Sequence, residues 1–396
     1  MEVTMSSQAK YRIEFDARSY LAGAGREFIP AAAALDGDWV CEHLGIPFDR
    51  YYRSYDLQRE ATEKARAEVV ATLGLQLVHD KCYDHGVILN ASLFGGAVRY
   101  HANSTPVLEP VIVEPESVAA VAKRIDAVSD EGLLHEGMLH PEYWDGARRL
   151  QERTGRPQRA PAAGGIKGLA TLCGQLCGVT NFLMWLATDP EAMAELTALV
   201  GRTMKRYIRA SRAFDGAGDL DGLSFASDLT GLMSPDTYAR FCAPHERDLY
   251  ETFAPHGSRY YHADSNLRNH VRVLADIGVT TVNIGPMVSV AHILSVAPTM
   301  RIDGQVPPTQ VLWRGTPDLV VDAVRRDIEE VKVAGANLSQ LRVCTAGSIN
   351  PGTPLENIRA MFWAAQTFGR FDGAVDPALR DIPIEFDRAA VVDQVS

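Results

Sequence analysis

A chain of 396 residues can bury one large core or two ordinary ones, and its composition, 46% hydrophobic and 22% charged, is that of a soluble globular protein. No 18-residue apolar run is present, which argues against a membrane-spanning helix. The net charge of −11, with its basic residues scattered, argues against a nucleic-acid binder, because neutralising phosphates takes a clustered cationic surface. The opening MEVTMSSQAKYRIEFDAR lacks the apolar centre of a signal peptide, so a cytoplasmic protein is expected. Six cysteines are spread without a compact pattern, and they are read as thiols rather than a disulfide framework.

Residues 1–60 read as an irregular helical extension, closing on a helix in RSYDLQREATEKARAEVVATLG that stops near Gly74. A first strand is expected in LGLQLVHD, running on into KCYDHGVILNASLFGGAVRY. His79, Asp80, Cys82, Asp84 and His85 crowd this stretch, either as metal ligands or as polar groups bonded within a loop. PESVAAVAKRIDAVSDEG has helical spacing behind a proline, AAGGIKGLATL reads as a strand, and Cys173 and Cys177 lie one helical turn apart beyond it. DPEAMAELTALVGRTMKRYIRASRAF is the clearest amphipathic helix, with Asp-Pro as its cap.

From there the alternation is regular. DGLSFAS, SRYYHA, TTVNIGP, TMRIDGQV and LSQLRVCTAG are strands, and between them lie helices such as SPDTYARFCAPHERDLYETF, LRNHVRVLADIG and TPDLVVDAVRRDIEEVKVAG. Repeated β/α units with short connections predict a parallel sheet. Counting the earlier strands gives about eight, hence a (β/α)8 TIM-like barrel over residues 61–375 with a surface tail at 376–396. Neither GxGxxG nor GxxxxGK[ST] follows a strand, so nucleotide cofactors have no support. His262 and Asp264 are two apart and leave a strand by the same face, as residues at a barrel mouth would. Asp228 ends the preceding strand, and Asp303, Gly304 and Gln305 end a later one.

Four segments together resemble the uroporphyrinogen decarboxylase superfamily, which includes cobalamin-dependent methyltransferases. They are ASDLTGLMSPDTYARFCAPH, YYHADSN, GQVPPTQVLWRGTPDLVVDAV and INPGTPLENIRAMFWAAQTFG, within a likeness running from about Tyr51 to Phe371. The resemblance implies a TIM-like barrel with its site at the C-terminal ends of the strands. Decarboxylases acting on porphyrinogens carry an arginine-rich RQAGRY-type segment near the N-terminus, where this chain reads FIPAAAALDGDWVCEHLG. The methyltransferase-like branch is therefore the nearer match. Its zinc enzymes use an HxC and a cysteine shortly before the final PGTP motif; here Asp264 replaces the first cysteine, and Gly347 stands at the second position with Cys344 three residues upstream.

The resemblance thus implies zinc on His262, Asp264 and Cys344, all accepted ligand types, or else His262 and Asp264 working as an acid/base pair without metal. Asp228 joins them as a catalytic or anchoring carboxylate, and Asp84, His85, Ser227, Asn283 and Gln305 are expected to contact substrate. Arg314 is placed similarly but is not singled out. The expected activity moves a methyl group between a small methylated substrate and a corrinoid held by a partner protein, since no corrinoid module is left over in this chain. Relatives in the superfamily are often dimers, so a homodimer is the assembly implied. The rival expectations are a decarboxylase or lyase on a non-porphyrin substrate, and an idle binding barrel.

Overall fold

The computed structural model describes residues 9–392; the first eight residues of the expected extension and the last four of the tail lie outside the described residues. Six parallel strands form the main sheet in simple chain order: β3 (Gly165–Lys167), β4 (Gly222–Ala226), β5 (Ser258–Ala263), β6 (Thr281–Ile284), β7 (Arg301–Val306) and β8 (Leu341–Thr345). Before them, β1 (Val98–His101) and β2 (Ser104–Leu108) make a separate antiparallel hairpin. Helices cross over between the parallel strands and pack on the outside, giving a TIM-like β/α architecture. Among the described residues no single helix is long and apolar enough to cross a membrane.

Extended chain borders the sheet at its β8 edge, from a part of the N-terminal extension where no strand was expected. Residues 30–32 lie beside β8, where the Val343 N–H donates to the Pro30 carbonyl at 2.9 Å and the Ala32 N–H to the Val343 carbonyl at 2.8 Å. The next segment follows, with the Leu35 N–H donating to the Leu77 carbonyl at 3.1 Å. The strand expected over LGLQLVHD is a correction in this sense: residues 75–80 are extended but form no ladder. Side chains of the helix Tyr55–Leu73 take the ladder's place, since the Gln58 amide bonds both the N–H and the carbonyl of Asp84 (2.9 and 3.0 Å) and Arg66 Nε donates to the Val78 carbonyl at 2.9 Å. Beyond them the chain turns through a 3-10 helix, Ala91–Phe94, where a continued strand had been expected.

The helix Pro190–Asp215 starts on its Asp189 cap as the sequence predicts. The expected single helix after β4 is instead two, Pro235–Phe241 and Ala243–Phe253, separated at Cys242; Pro244 brings no N–H to continue the first. Cys173 and Cys177 are buried on the helix Leu169–Cys177, in accord with packing as small apolar groups. The tail is a strap. Arg388 reaches into the fold, pairing with buried Asp327 at 2.5 Å and donating to the Gln305 carbonyl at 2.7 Å.

Two buried acids bear on pH: burial pushes the Asp327 carboxyl up to about 6 despite Arg388, and Glu246 higher still. Glu246, fully buried, accepts from the Leu169 N–H at 2.9 Å and from the Tyr238 hydroxyl, and it ties the turn after β3 to the helix Ala243–Phe253. Burial pushes its carboxyl from the ordinary 4.5 up to about 7, against the downward pull of Tyr238 and the Leu169 N–H. Across that window the unfolded chain releases the proton first, so stability falls as pH rises, by about 3 kcal/mol for a shift of this size. Glu246→Gln should flatten this slope between pH 5 and pH 8, read from urea midpoints at each pH; an unchanged slope would show that Glu246 does not set it.

Candidate active site

The C-terminal ends of β4, β5, β6 and β8 surround a cavity of about 570 Å3. A small residue helps make the room, because Ala226 on β4 fills little of the lumen between Lys167 and His262. Strand register sets Lys167, Ala226, His262 and Asn283 side by side in one layer. His262 points into this space and Asp264, one loop residue past β5, stands at the mouth.

The imidazole is held from both ends. Nδ1 lies 2.6 Å from Asn283 Oδ1, while the Asn283 amide nitrogen donates to the carbonyls of Asp303 (2.6 Å) and Thr345 (2.7 Å). Those two donations fix which end of the amide faces the ring, so Oδ1 accepts and Nδ1 carries the proton. In the neutral ring the Nε2 lone pair is then presented to the carboxylates, and Nε2 is 3.4 Å from Asp264 Oδ1. Asp264 Oδ1 also accepts from the Ser348 N–H at 2.6 Å, and Asp228 Oδ1 accepts from the Asp264 N–H at 2.7 Å. Gly347 permits this approach: it sits at φ +94°, and a Cβ there would come within 2.4 Å of Asp264 Oδ1. Burial pulls the His262 proton affinity down, but the hydrogen bond and charge of Asp264, with help from Asn283 and Asp228, leave it above its ordinary value. Burial likewise raises Asp264, and His262 and Ser348 outweigh it to hold the carboxyl low.

One donor atom each from Asp228, His262 and Asp264 lie within 4.8 Å of one another, close enough to converge on a single cation. An imidazole nitrogen with two carboxylate oxygens fits zinc as well as harder divalent ions, and three protein ligands leave a coordination position open. Cys344, the other expected ligand, lines the same cavity with Thr345 Oγ1 as its near contact at 3.9 Å, and it is not among the three residues whose donor atoms converge.

The other expected contacts divide. Asp84 lines the cavity, paired with Lys81 at 3.2 Å. His85, beside it, turns away, stacks on Tyr83 with ring centres 4.4 Å apart, and is pushed down to about 3 by burial and His140. Ser227 is buried behind β4, accepting from the Thr230 hydroxyl at 3.0 Å. Gln305 is buried and spends its amide on the Val288 carbonyl at 2.6 Å. Asn283 reaches the cavity, yet all of its polar atoms are engaged by protein groups, so it orients His262 rather than reading a ligand. Among the crowded early residues, Asp80 pairs with Arg66 and Arg153, as a satisfied loop would.

Three cations line the cavity, and none was expected there: Lys81, Lys167 and Arg342. Tyr260 lines it too, and for Arg342 and Tyr260 the signal was available, since each lies two residues before an expected site residue on a strand and so shares its face. On the zinc reading proposed below, Asn283→Ala should keep the fold but weaken zinc affinity by about 10–100-fold, measured by competition with a chromogenic chelator; unchanged affinity would remove Asn283 from the site.

A family model described as "Uroporphyrinogen decarboxylase (URO-D)" matches residues 65–368. A methylated-thiol–coenzyme M methyltransferase of Methanosarcina mazei is 27% identical over 221 residues; the match spans 55% of this chain and only 56% of that relative's length. A solved methyltransferase from Methanosarcina mazei superposes with a TM-score of 0.63 at 18% identity, covering 88% of this chain and 96% of that one, a likeness of fold. With the family match running from the helix Tyr55–Leu73 to the end of the helix Leu355–Phe368, this chain belongs to the uroporphyrinogen decarboxylase family.

Proposed function

We propose that the protein is a methyltransferase that takes a small methylated substrate into the barrel lumen and passes its methyl group to a corrinoid carried by a separate protein. The observation that carries this reading is the convergence of Asp228, His262 and Asp264 beside the cavity. The donor class put first is a methylated thiol, the compound named for the Methanosarcina relative. In the reaction the bond from sulfur to the methyl carbon breaks with its electron pair left on sulfur, the methyl goes to the acceptor's nucleophile, and the leaving thiolate is neutralised.

Zinc held by these three residues would supply Lewis-acid stabilisation of that thiolate. The chain's own groups prepare the place. Asn283 keeps the His262 proton on Nδ1 and leaves Nε2 free to ligate. Ser348 N–H and the close backbone at Gly347 hold the Asp264 carboxylate in position, and the N–H of Asp264 in turn holds Asp228.

A decarboxylase or lyase is the second reading, and one observation favours it: without metal, Asp264 and Asn283 outweigh burial and hold a proton on His262 more firmly than on a free imidazole, as a general acid beside the cavity needs. Metal analysis of the purified protein followed by assay of methyl transfer to free reduced cobalamin separates the two. Stoichiometric zinc with transfer supports the first reading, while a metal-free protein that transfers no methyl group sinks it.

A further inference from the structure

We propose that the barrel has a second opening, on the face where its strands begin, and that small polar solutes pass between it and the cavity at a gate made by Tyr260, Asp303 and Arg342. On the function proposed above, a partner protein covers the mouth during transfer and the second opening lets the small product leave; the opening itself rests on the lumen alone.

Barrels of this class fill their interior with layers of branched apolar side chains. Here the layers are polar. Along β5 to β8 the residues facing inward include Tyr260, His262, Thr281, Asn283, Asp303 and Arg342, while the alternate residues Tyr261, Val282, Ile302 and Val343 are buried on the other face. Toward the strand starts lies a second chamber of about 370 Å3, and Tyr260 and Arg342 line both it and the cavity described above. Ser258 and Arg301, the first residues of β5 and β7, border the lower chamber and are exposed, so it opens on the face opposite the mouth.

The waist between the chambers is made of side chains. Asp303 and Arg342 are register partners on β7 and β8, and their ion pair stands there. From β5 the Tyr260 hydroxyl faces the same acid; burial, and then the charge of Asp303, raises its proton affinity. The pair is loosely held. The Arg342 side chain is 46% exposed, and among the described residues only its Nη2 is bonded, so the guanidinium can swing off the carboxylate and stay solvated. Ordinary side-chain motion therefore opens the waist.

Cys344 is the reporter, because its thiol lines the upper cavity two residues beyond Arg342 on the same face of β8. Its modification by methyl methanethiosulfonate is timed on the full-length protein by mass spectrometry of the peptide that carries it. Arg342→Ala should speed modification at least about 10-fold, as when a state populated about a tenth of the time or less becomes permanent. Adding Ser258→Trp, which fills the lower entrance, should take that gain away. Losing the cation makes the thiol harder to ionise, so a gain reports access rather than reactivity. Tyr260→Ala opens the waist from the other side with the ion pair intact and should behave alike, and urea midpoints show which variants fold. No gain in a folded variant, or a gain that survives Ser258→Trp because the reagent enters by the mouth, would overturn the proposal. The readout involves no turnover. A passage without methyl transfer defeats the reaction and leaves the second opening standing, whereas methyl transfer by a protein whose Cys344 rate ignores these changes does the reverse.

Discussion

His262→Ala is expected to strip zinc from the protein and to lower methyl transfer by on the order of 10^3-fold, about 4 kcal/mol of lost stabilisation. The substitution removes the nitrogen donor and leaves Asp228 and Asp264 as neighbouring negative charges. The fold should survive, because Asn283 keeps its bonds to the Asp303 and Thr345 carbonyls and loses only its link to the ring. Metal content by mass spectrometry, turnover and a urea midpoint on one sample decide the matter. A variant that keeps its metal and its rate would move the active site elsewhere.

The second large effect is on stability. Arg388→Ala should cost about 3–5 kcal/mol, because it leaves the Asp327 carboxylate, 1% exposed, without its partner in the interior. The same arginine also donates to the carbonyls of Gln305 and Pro286, and it fastens the strap across the ends of β6 and β7. Pairing Arg388→Met with Asp327→Leu should recover much of the loss, since the cost lies in the orphaned charge rather than in the missing attraction. Urea denaturation of the two variants checks both statements; a single variant within about 1 kcal/mol of wild type would show that the strap carries little of the stability.

The second half of the fold was legible because each unit there repeats one pattern: a short strand, a polar or glycine corner, then a helix. The stretch from Leu75 to Phe94 was misread for a definite reason. Its apolar content suits a strand, but whether a strand forms depends on what meets its backbone, and here Gln58 and Arg66 arrive from a helix earlier in the chain. Nothing in the local sequence announces that.

The site was readable where two-residue spacing and adjacent strand ends did the work, as with His262, Asp264 and Asp228. It was not readable where the decisive fact was position around the barrel. His85 sits beside cavity-lining Asp84 yet stacks on Tyr83. Lys167 was passed over because a lone lysine among glycines has no periodic signature.

The pairing of residues 30–32 with β8 sets a lower limit on what can be excised. The family match begins at residue 65, downstream of that segment. A fragment cut to the matched span would bare the amide and carbonyl of Val343 along an open margin, and such margins recruit strands from other molecules. The smallest self-sufficient unit therefore reaches back past the homologous region, and trimming to it would trade a closed surface for an adhesive one.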